Sequence, residues 1–233
     1  MNIALIKAGG VGSRMGAGIP KQFISVNGKP IIIHTLEAFE NHPAIDAIFV
    51  VCVDGWQENL ETYAAKYGIT KLAGIVSGGE TSLKSIRNGL NAVREKYSDD
   101  DILLIHDANR PCVTEDIISD VLAECGKYGM AVAAVPCNDE VAVLSSPGGK
   151  SSDSFADHKL LCCIQTPDAY KLQIVSRIFD EATEEQMVSL GATNVLAIQQ
   201  GYTMHFSLGA STNIRLTTME DIMLMEALIK DKD

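Results

Sequence analysis

MNIALIKAGGVGSRMG, residues 1–16, carries the strongest structural signal in the chain. A short apolar run at 3–6 stops at Lys7 and gives way to glycines, which reads as a β-strand feeding a tight turn and not as a signal peptide. In an open α/β sheet the ligand crevice lies beyond the carboxyl ends of the strands, so the segment AGGVGSRMG at 8–16 falls where backbone N–H groups can approach phosphate oxygens. Two familiar glycine loops are excluded. A dinucleotide fingerprint set on Gly10 and Gly12 requires glycine at 15, where Met15 stands, and this disfavours nicotinamide chemistry. A P-loop requires lysine after Gly16, where Ala17 and Gly18 follow. What remains is a glycine loop holding Arg14, then Pro20-Lys21-Gln22-Phe23. Arg as a planar fork and Lys as a point charge can reach different oxygens of a triphosphate. Spacing alone leaves open a loop with merely solvated cations.

Outward from that loop, β-type runs alternate with amphipathic segments, the pattern of parallel strands joined by crossover helices. Strands are predicted at 3–6, 45–53, 71–76, 102–106, 131–135, 162–165, 194–198 and 213–216. Helices are predicted at 31–41, 56–67, 81–96, 114–128, 169–181, 184–190 and 218–230. Residues 137–159 break the alternation. They are polar, contain SSPGGKSS at 145–152, and read as a projecting hairpin or long loop that contacts a ligand or another chain.

Length and apolar content suit one α/β domain over 1–233. The formal charge of −11 weighs against nucleic-acid binding, so an anionic substrate must meet a local cluster of cations. Six cysteines without a CxxC pair point to reduced thiols in a cytoplasmic protein, not to disulfides or a zinc site. No apolar run approaches the ~18 residues of a membrane span.

With these residues in view, the sequence resembles the cytidylyltransferases acting on 2-C-methyl-D-erythritol 4-phosphate or ribitol 5-phosphate. Six blocks carry the resemblance in order: AGGVGSRMGAGIPKQF at 8–23, HTLEAF at 34–39, SGGETSLKSIRNGL at 77–90, LLIHDANRP at 103–111, IQTPDAY at 164–170 and NIRLTTMED at 213–221. The resemblance implies a Rossmann-like, mostly parallel nucleotidyltransferase sheet with a protruding β-arm at 137–159 that pairs two subunits in a homodimer. It also implies Mg²⁺-assisted attack by the acceptor's own phosphate on the α-phosphorus of CTP, with release of pyrophosphate.

Carried over residue by residue, the resemblance gives Arg14, Lys21 and Arg215 to the triphosphate and the transition state. Arg215 stands where the family usually has lysine. Ala8, Gly9, Gly10, Gly12, Gly78, Gly79, Ser85 and Ala108 match the nucleotide-binding blocks. Ser82 replaces a common arginine there. Asp107 matches an acidic metal ligand, suited to a hard cation that takes one or two protein oxygens. It also matches the acceptor site, with Arg110 as its brace and Thr166 lining the polyol pocket. The arm departs most from the family pattern: Glu140 replaces a threonine, and His158 beside Lys159 replaces an arginine. The resemblance implies 2-C-methyl-D-erythritol 4-phosphate as the acceptor, and these departures keep ribitol 5-phosphate or another polyol phosphate as the alternative. A remote alternative from another class is an inactive nucleotide-binding subunit.

Overall fold

The computed structural model describes residues 1–10 and 19–230. Strands β1 (Asn2–Ala8), β4 (Ala47–Cys52), β5 (Leu72–Ser77), β6 (Ile102–Asp107), β7 (Met130–Pro136), β10 (Cys162–Lys171) and β11 (Phe206–Leu208) form a seven-stranded sheet. Its order is β11-β7-β10-β6-β1-β4-β5, and β10 runs antiparallel to both its neighbours while the other pairings are parallel. The ribbon β2 (Ser25–Val26) with β3 (Lys29–Pro30) and the hairpin β8 (Val141–Val143) with β9 (Ser154–Ala156) form two separate small sheets.

Helices cover both faces, which is why β1, β4 and β6 are apolar nearly throughout. On one face α1 (Ile31–Glu40), α2 (Gln57–Lys66) and α4 (Glu115–Tyr128) pack on Ala4, Ile6 and Ala8. On the other, α3 (Ser82–Arg94), α5 (Leu172–Asp180), α6 (Glu184–Ser189) and α7 (Thr193–Gln199) pack on Ile3, Leu5, Phe49, Leu103, Ile105 and Tyr170. Strand alternation therefore turns Lys7 toward the α3 and α7 side. Helix α3 lies so close to the sheet that a Cβ on Gly89 would come 2.5 Å from Leu5 Cδ1. A last helix, α8 (Met219–Lys230), packs Ile222 and Met225 on Val26, Ile31 and Leu216.

Two predicted strands are corrected. The segment predicted as a strand at 194–198 is helix α7, whose Leu196 and Ala197 bury on the sheet at helical spacing, and the edge strand falls instead at β11. Residues 213–216 form no strand because their backbone bonds go elsewhere. Leu216 N–H donates to Asn109 O at 2.9 Å, and Asn213 O and Leu216 O accept from the Arg110 and Asn109 side chains. The 162–165 expectation is the first part of the longer β10, so the helix expected from 169 begins at Leu172.

Candidate active site

A cavity of about 610 Å³ opens beyond the carboxyl ends of β1, β5 and β6. Of the residues singled out above, Ala8, Gly9, Gly10, Lys21, Gly79, Ser85, Asp107, Ala108, Arg110, Thr166 and Arg215 line it. Gly78 sits just behind; a Cβ added to Gly9 would lie 3.7 Å from its Cα. Gly12 and Arg14 lie outside the described residues. Glu140, His158 and Lys159 do not line the cavity. They lie at the hairpin, with His158 Nδ1 3.6 Å from Glu140 Oε1. They belong to the long polar connection between β7 and β10, outside the set of residues that line the cavity.

The start of the glycine segment is tethered by a residue near the end of the same block. Gln22, 2 % exposed, donates through Nε2 to Ala8 O at 2.6 Å and to Gly10 O at 3.1 Å. Phe23 stacks on Trp56 with ring centres 4.5 Å apart and anchors the short 3-10 turn Lys21–Phe23. Lys21 is thereby held at the cavity, with Nζ 3.5 Å from Leu216 O. Across the mouth, Ser85 Oγ accepts from Gly79 N–H at 2.9 Å and closes the turn before α3. A Cβ on Gly79 would meet Lys84 at 2.8 Å, so glycine is required there.

Asp107 ends β6, and its carboxylate sits among three cations. Lys7 Nζ lies 2.8 Å from Oδ1, while Arg110 Nε and Arg215 Nε each lie 3.5 Å from Oδ2. Burial alone would push this carboxyl up; Lys7 and Arg215 instead hold it well below the usual carboxylate range. Arg110 makes a single approach to Asp107 rather than a two-point fork, because its Nη1 donates to Asn213 O at 2.7 Å.

Beneath Asp107 runs a buried network whose proton positions follow from its partners. Burial lowers the His106 pKa to about 4, so the ring is neutral and carries one N–H. His106 Nε2 lies 3.1 Å from Arg110 O, and a carbonyl only accepts, so that nitrogen bears the hydrogen. Nδ1 is then an acceptor, and the Thr166 hydroxyl donates to it at 3.1 Å. Thr166 Oγ1 in turn accepts from Asp107 N–H at 3.1 Å. The threonine hydrogen is committed inward, and its oxygen faces the cavity as an acceptor only.

Among the described residues no group of three or more His, Cys, Asp or Glu side chains is arranged to hold a metal. The carboxylates at the cavity are Glu80, Asp107 and Asp168, and both Asp107 oxygens are already approached by cations. Such a donor set suits a magnesium ion held chiefly by triphosphate oxygens and water, with at most one or two protein oxygens.

The sequence reading missed Lys7, Asn109, Asp168, Thr193, Asn194 and Asn213, all buried or half-buried in or beside this site. Lys7 and Asp168 were detectable as charged residues inside apolar strands, where a charge needs a partner. Thr193 and Asn194 were hidden by the mistaken strand over α7.

A sheet in this order, with its cavity over the first-strand loop and cations gathered round a strand-end carboxylate, is the arrangement of a nucleotidyltransferase. The family model described as IspD, 2-C-methyl-D-erythritol 4-phosphate cytidylyltransferase, matches residues 2–231, and the chain belongs to this family. It is 40% identical to a ribitol-5-phosphate cytidylyltransferase of Lacticaseibacillus paracasei over the whole of both chains. It is 35% identical to a 2-C-methyl-D-erythritol 4-phosphate cytidylyltransferase of Syntrophus aciditrophicus, covering 99% of this chain and 97% of that one. Among solved structures, the Francisella tularensis 2-C-methyl-D-erythritol 4-phosphate cytidylyltransferase superposes with a TM-score of 0.79 at 25% identity, covering 97% of this chain and 98% of that one. A 4-diphosphocytidyl-2C-methyl-D-erythritol synthase superposes with a TM-score of 0.81 at 23% identity over 98% of each chain, a likeness of fold. The chain is thus a CTP-dependent nucleotidyltransferase whose second substrate is a sugar phosphate.

Proposed function

We propose that this enzyme transfers CMP from CTP to ribitol 5-phosphate and releases pyrophosphate. The observation that carries the reading is the set of cations, Lys7, Lys21, Arg110 and Arg215, lining one cavity with Asp107 over the first-strand glycines. In a chain of formal charge −11, such clustering has an electrostatic cost unless polyanions bind there. Ribitol 5-phosphate is favoured over 2-C-methyl-D-erythritol 4-phosphate by the 40% identity to the Lacticaseibacillus paracasei protein, and by the atypical Glu140 and His158 of the arm.

In this reading the N–H groups of Gly9 and Gly10, with Lys21 and Arg14, hold the triphosphate. Gly78, Gly79 and Ser85 shape the cytidine side, with Ala108 beside Asp107. The acceptor phosphate, already ionised, attacks the α-phosphorus in line, so no protein general base is required. Arg215 faces the phosphates where charge accumulates, and Asp107 fixes its guanidinium. Arg110 braces Asp107, and Thr166 offers its oxygen to an acceptor hydroxyl. Asp107 would be the protein ligand to a magnesium ion, which would supply charge neutralisation for the departing pyrophosphate.

The arm is proposed to pack against a second copy of the chain. Phe155 at 76 %, Leu160 at 85 % and Leu144 at 52 % exposure leave an apolar surface on or beside the hairpin with no intrachain cover. Pairing of arms would carry Glu140, His158 and Lys159 toward the partner's cavity. The test of the activity is pyrophosphate release with CTP, Mg²⁺ and a panel of polyol phosphates. Ribitol 5-phosphate is expected to give the highest kcat/KM, and CTP turnover with no member of the panel would overturn the proposal.

A further inference from the structure

The cavity has an inner wall on which Asp168, Thr193 and Asn194 have been given no role. Lys7, Asp107 and Asp168 all point to the sheet face covered by α3, α5 and α7: Lys7 continues the alternation of Ile3 and Leu5, Asp107 that of Leu103 and Ile105, and Asp168 pairs with Ile105. Opposite them, Thr193 and Asn194 at the start of α7 line the same space. The Thr193 hydroxyl is buried and has no hydrogen-bond partner.

Counting donors and acceptors shows which groups on this wall can serve a ligand. Gln165 has committed its oxygen and one of its two N–H groups: its Nε2 donates to Ala210 O, and its Oε1 accepts from Ala210 N–H and Asn213 Nδ2. Thr166 has given its hydrogen to His106. Asp168, only 3 % exposed, takes one side-chain bond within the wall, from Tyr170 O–H to Oδ2 at 2.7 Å, although a carboxylate can take several. Burial raises its pKa to about 6, with Lys7 opposing the rise, so it is mostly ionised at neutral pH.

We propose that Asp168 is a specificity-determining residue for the acceptor, taking hydrogen bonds from the hydroxyls of a linear polyol tail and rejecting a methyl-branched one. A hydroxyl on each carbon satisfies the carboxylate. A methyl group placed against it displaces water and returns no hydrogen bond, which leaves a buried charge short of donors. Sites built to bond a substrate hydroxyl discriminate strongly against analogues that lack it. Tyr170 fixes Asp168 in place through its hydroxyl.

The inference rests on the cytidylyl-transfer reading above, and the experiment separates the two. kcat and KM are measured for wild type and Asp168→Asn with ribitol 5-phosphate and with 2-C-methyl-D-erythritol 4-phosphate, at saturating CTP and Mg²⁺. Wild type is expected to prefer ribitol 5-phosphate. Asp168→Asn is expected to cut that preference at least tenfold, mainly through KM for ribitol 5-phosphate, with KM for CTP within twofold of wild type. A parallel series on the unaltered enzyme uses ribitol 5-phosphates lacking one hydroxyl each, and one position is expected to lose at least tenfold in kcat/KM. A folded Asp168→Asn with unchanged preference, a wild type preferring the branched acceptor, or a deoxy series with no sensitive position would each overturn the inference and leave cytidylyl transfer standing. A wild type that turns over neither acceptor overturns both.

Discussion

Replacing Asp107 with Asn tests the charge arrangement at its centre. The substitution keeps shape and removes a buried carboxylate that faces Lys7 at 2.8 Å and Arg110 and Arg215 at 3.5 Å. Three cations are left without their shared anion. Breaking a buried ion pair from one side costs about 3–5 kcal/mol. Arg215 is half exposed and Asn still accepts hydrogen bonds, so the lower end, about 3 kcal/mol, is expected. For a protein of this size that lowers Tm by roughly 6–12 °C. The sign with pH follows from linkage. The native pKa of Asp107 is depressed, so its stabilisation is complete above the unfolded value of 3.8 and is lost as pH falls through the native one. The gap between wild type and Asp107→Asn is therefore widest at neutral pH and shrinks in strong acid. Denaturant unfolding at several pH values, with pyrophosphate release alongside, reads both effects. A variant melting within ~2 °C of wild type with unchanged turnover would refute the arrangement.

Lys21→Ala is expected to reduce pyrophosphate release by about a hundredfold or more while Tm moves only a few degrees, since a charge-stabilising group at a ligand site adds little to the fold. Full activity would remove Lys21 from the transition-state assignment. His106, held neutral with a pKa near 4, stabilises the fold above its unfolded value of 6.5 and loses that contribution as pH falls toward 4. Between pH 7 and 5, wild type should therefore lose about 2 kcal/mol more than His106→Gln in urea unfolding; equal losses would contradict the neutral ring. Asp168, with its raised pKa, acts in the opposite direction, so the comparison is made between these two proteins and not from the wild-type curve alone. Deleting residues 145–151 should weaken self-association; an unchanged elution volume over a dilution series would count against the arm as a contact between copies.

Much of the fold was legible because its elements follow simple periods. The apolar strands ending at Ala8, Cys52 and Asp107 and the helices that follow Thr81, Thr114 and Thr183 stood out from their apolar pattern, and in the structure those threonines cap them. The failures share a cause: tertiary partners overrode local propensity. The run TNVLAIQ suits a strand by β-branched content, yet folds as α7 because Leu196 and Ala197 find a sheet face to cover. NIRL at 213–216 reads as a strand but is captured by Asn109 and Arg110. The outer site was legible through glycines and loop cations. Its floor was not, because Lys7 and Asp168 acquire meaning only when β1, β6 and β10 are laid side by side.

A crystal of the enzyme with CTP, Mg²⁺ and ribitol 5-phosphate addresses the central claim most directly. The triphosphate should lie over Ala8–Gly10 and Lys21, with the acceptor phosphate on the Asp107 and Arg215 side, facing the α-phosphorus. Cytidine bound away from this cavity, or a triphosphate out of reach of both Lys21 and Arg215, would contradict the account.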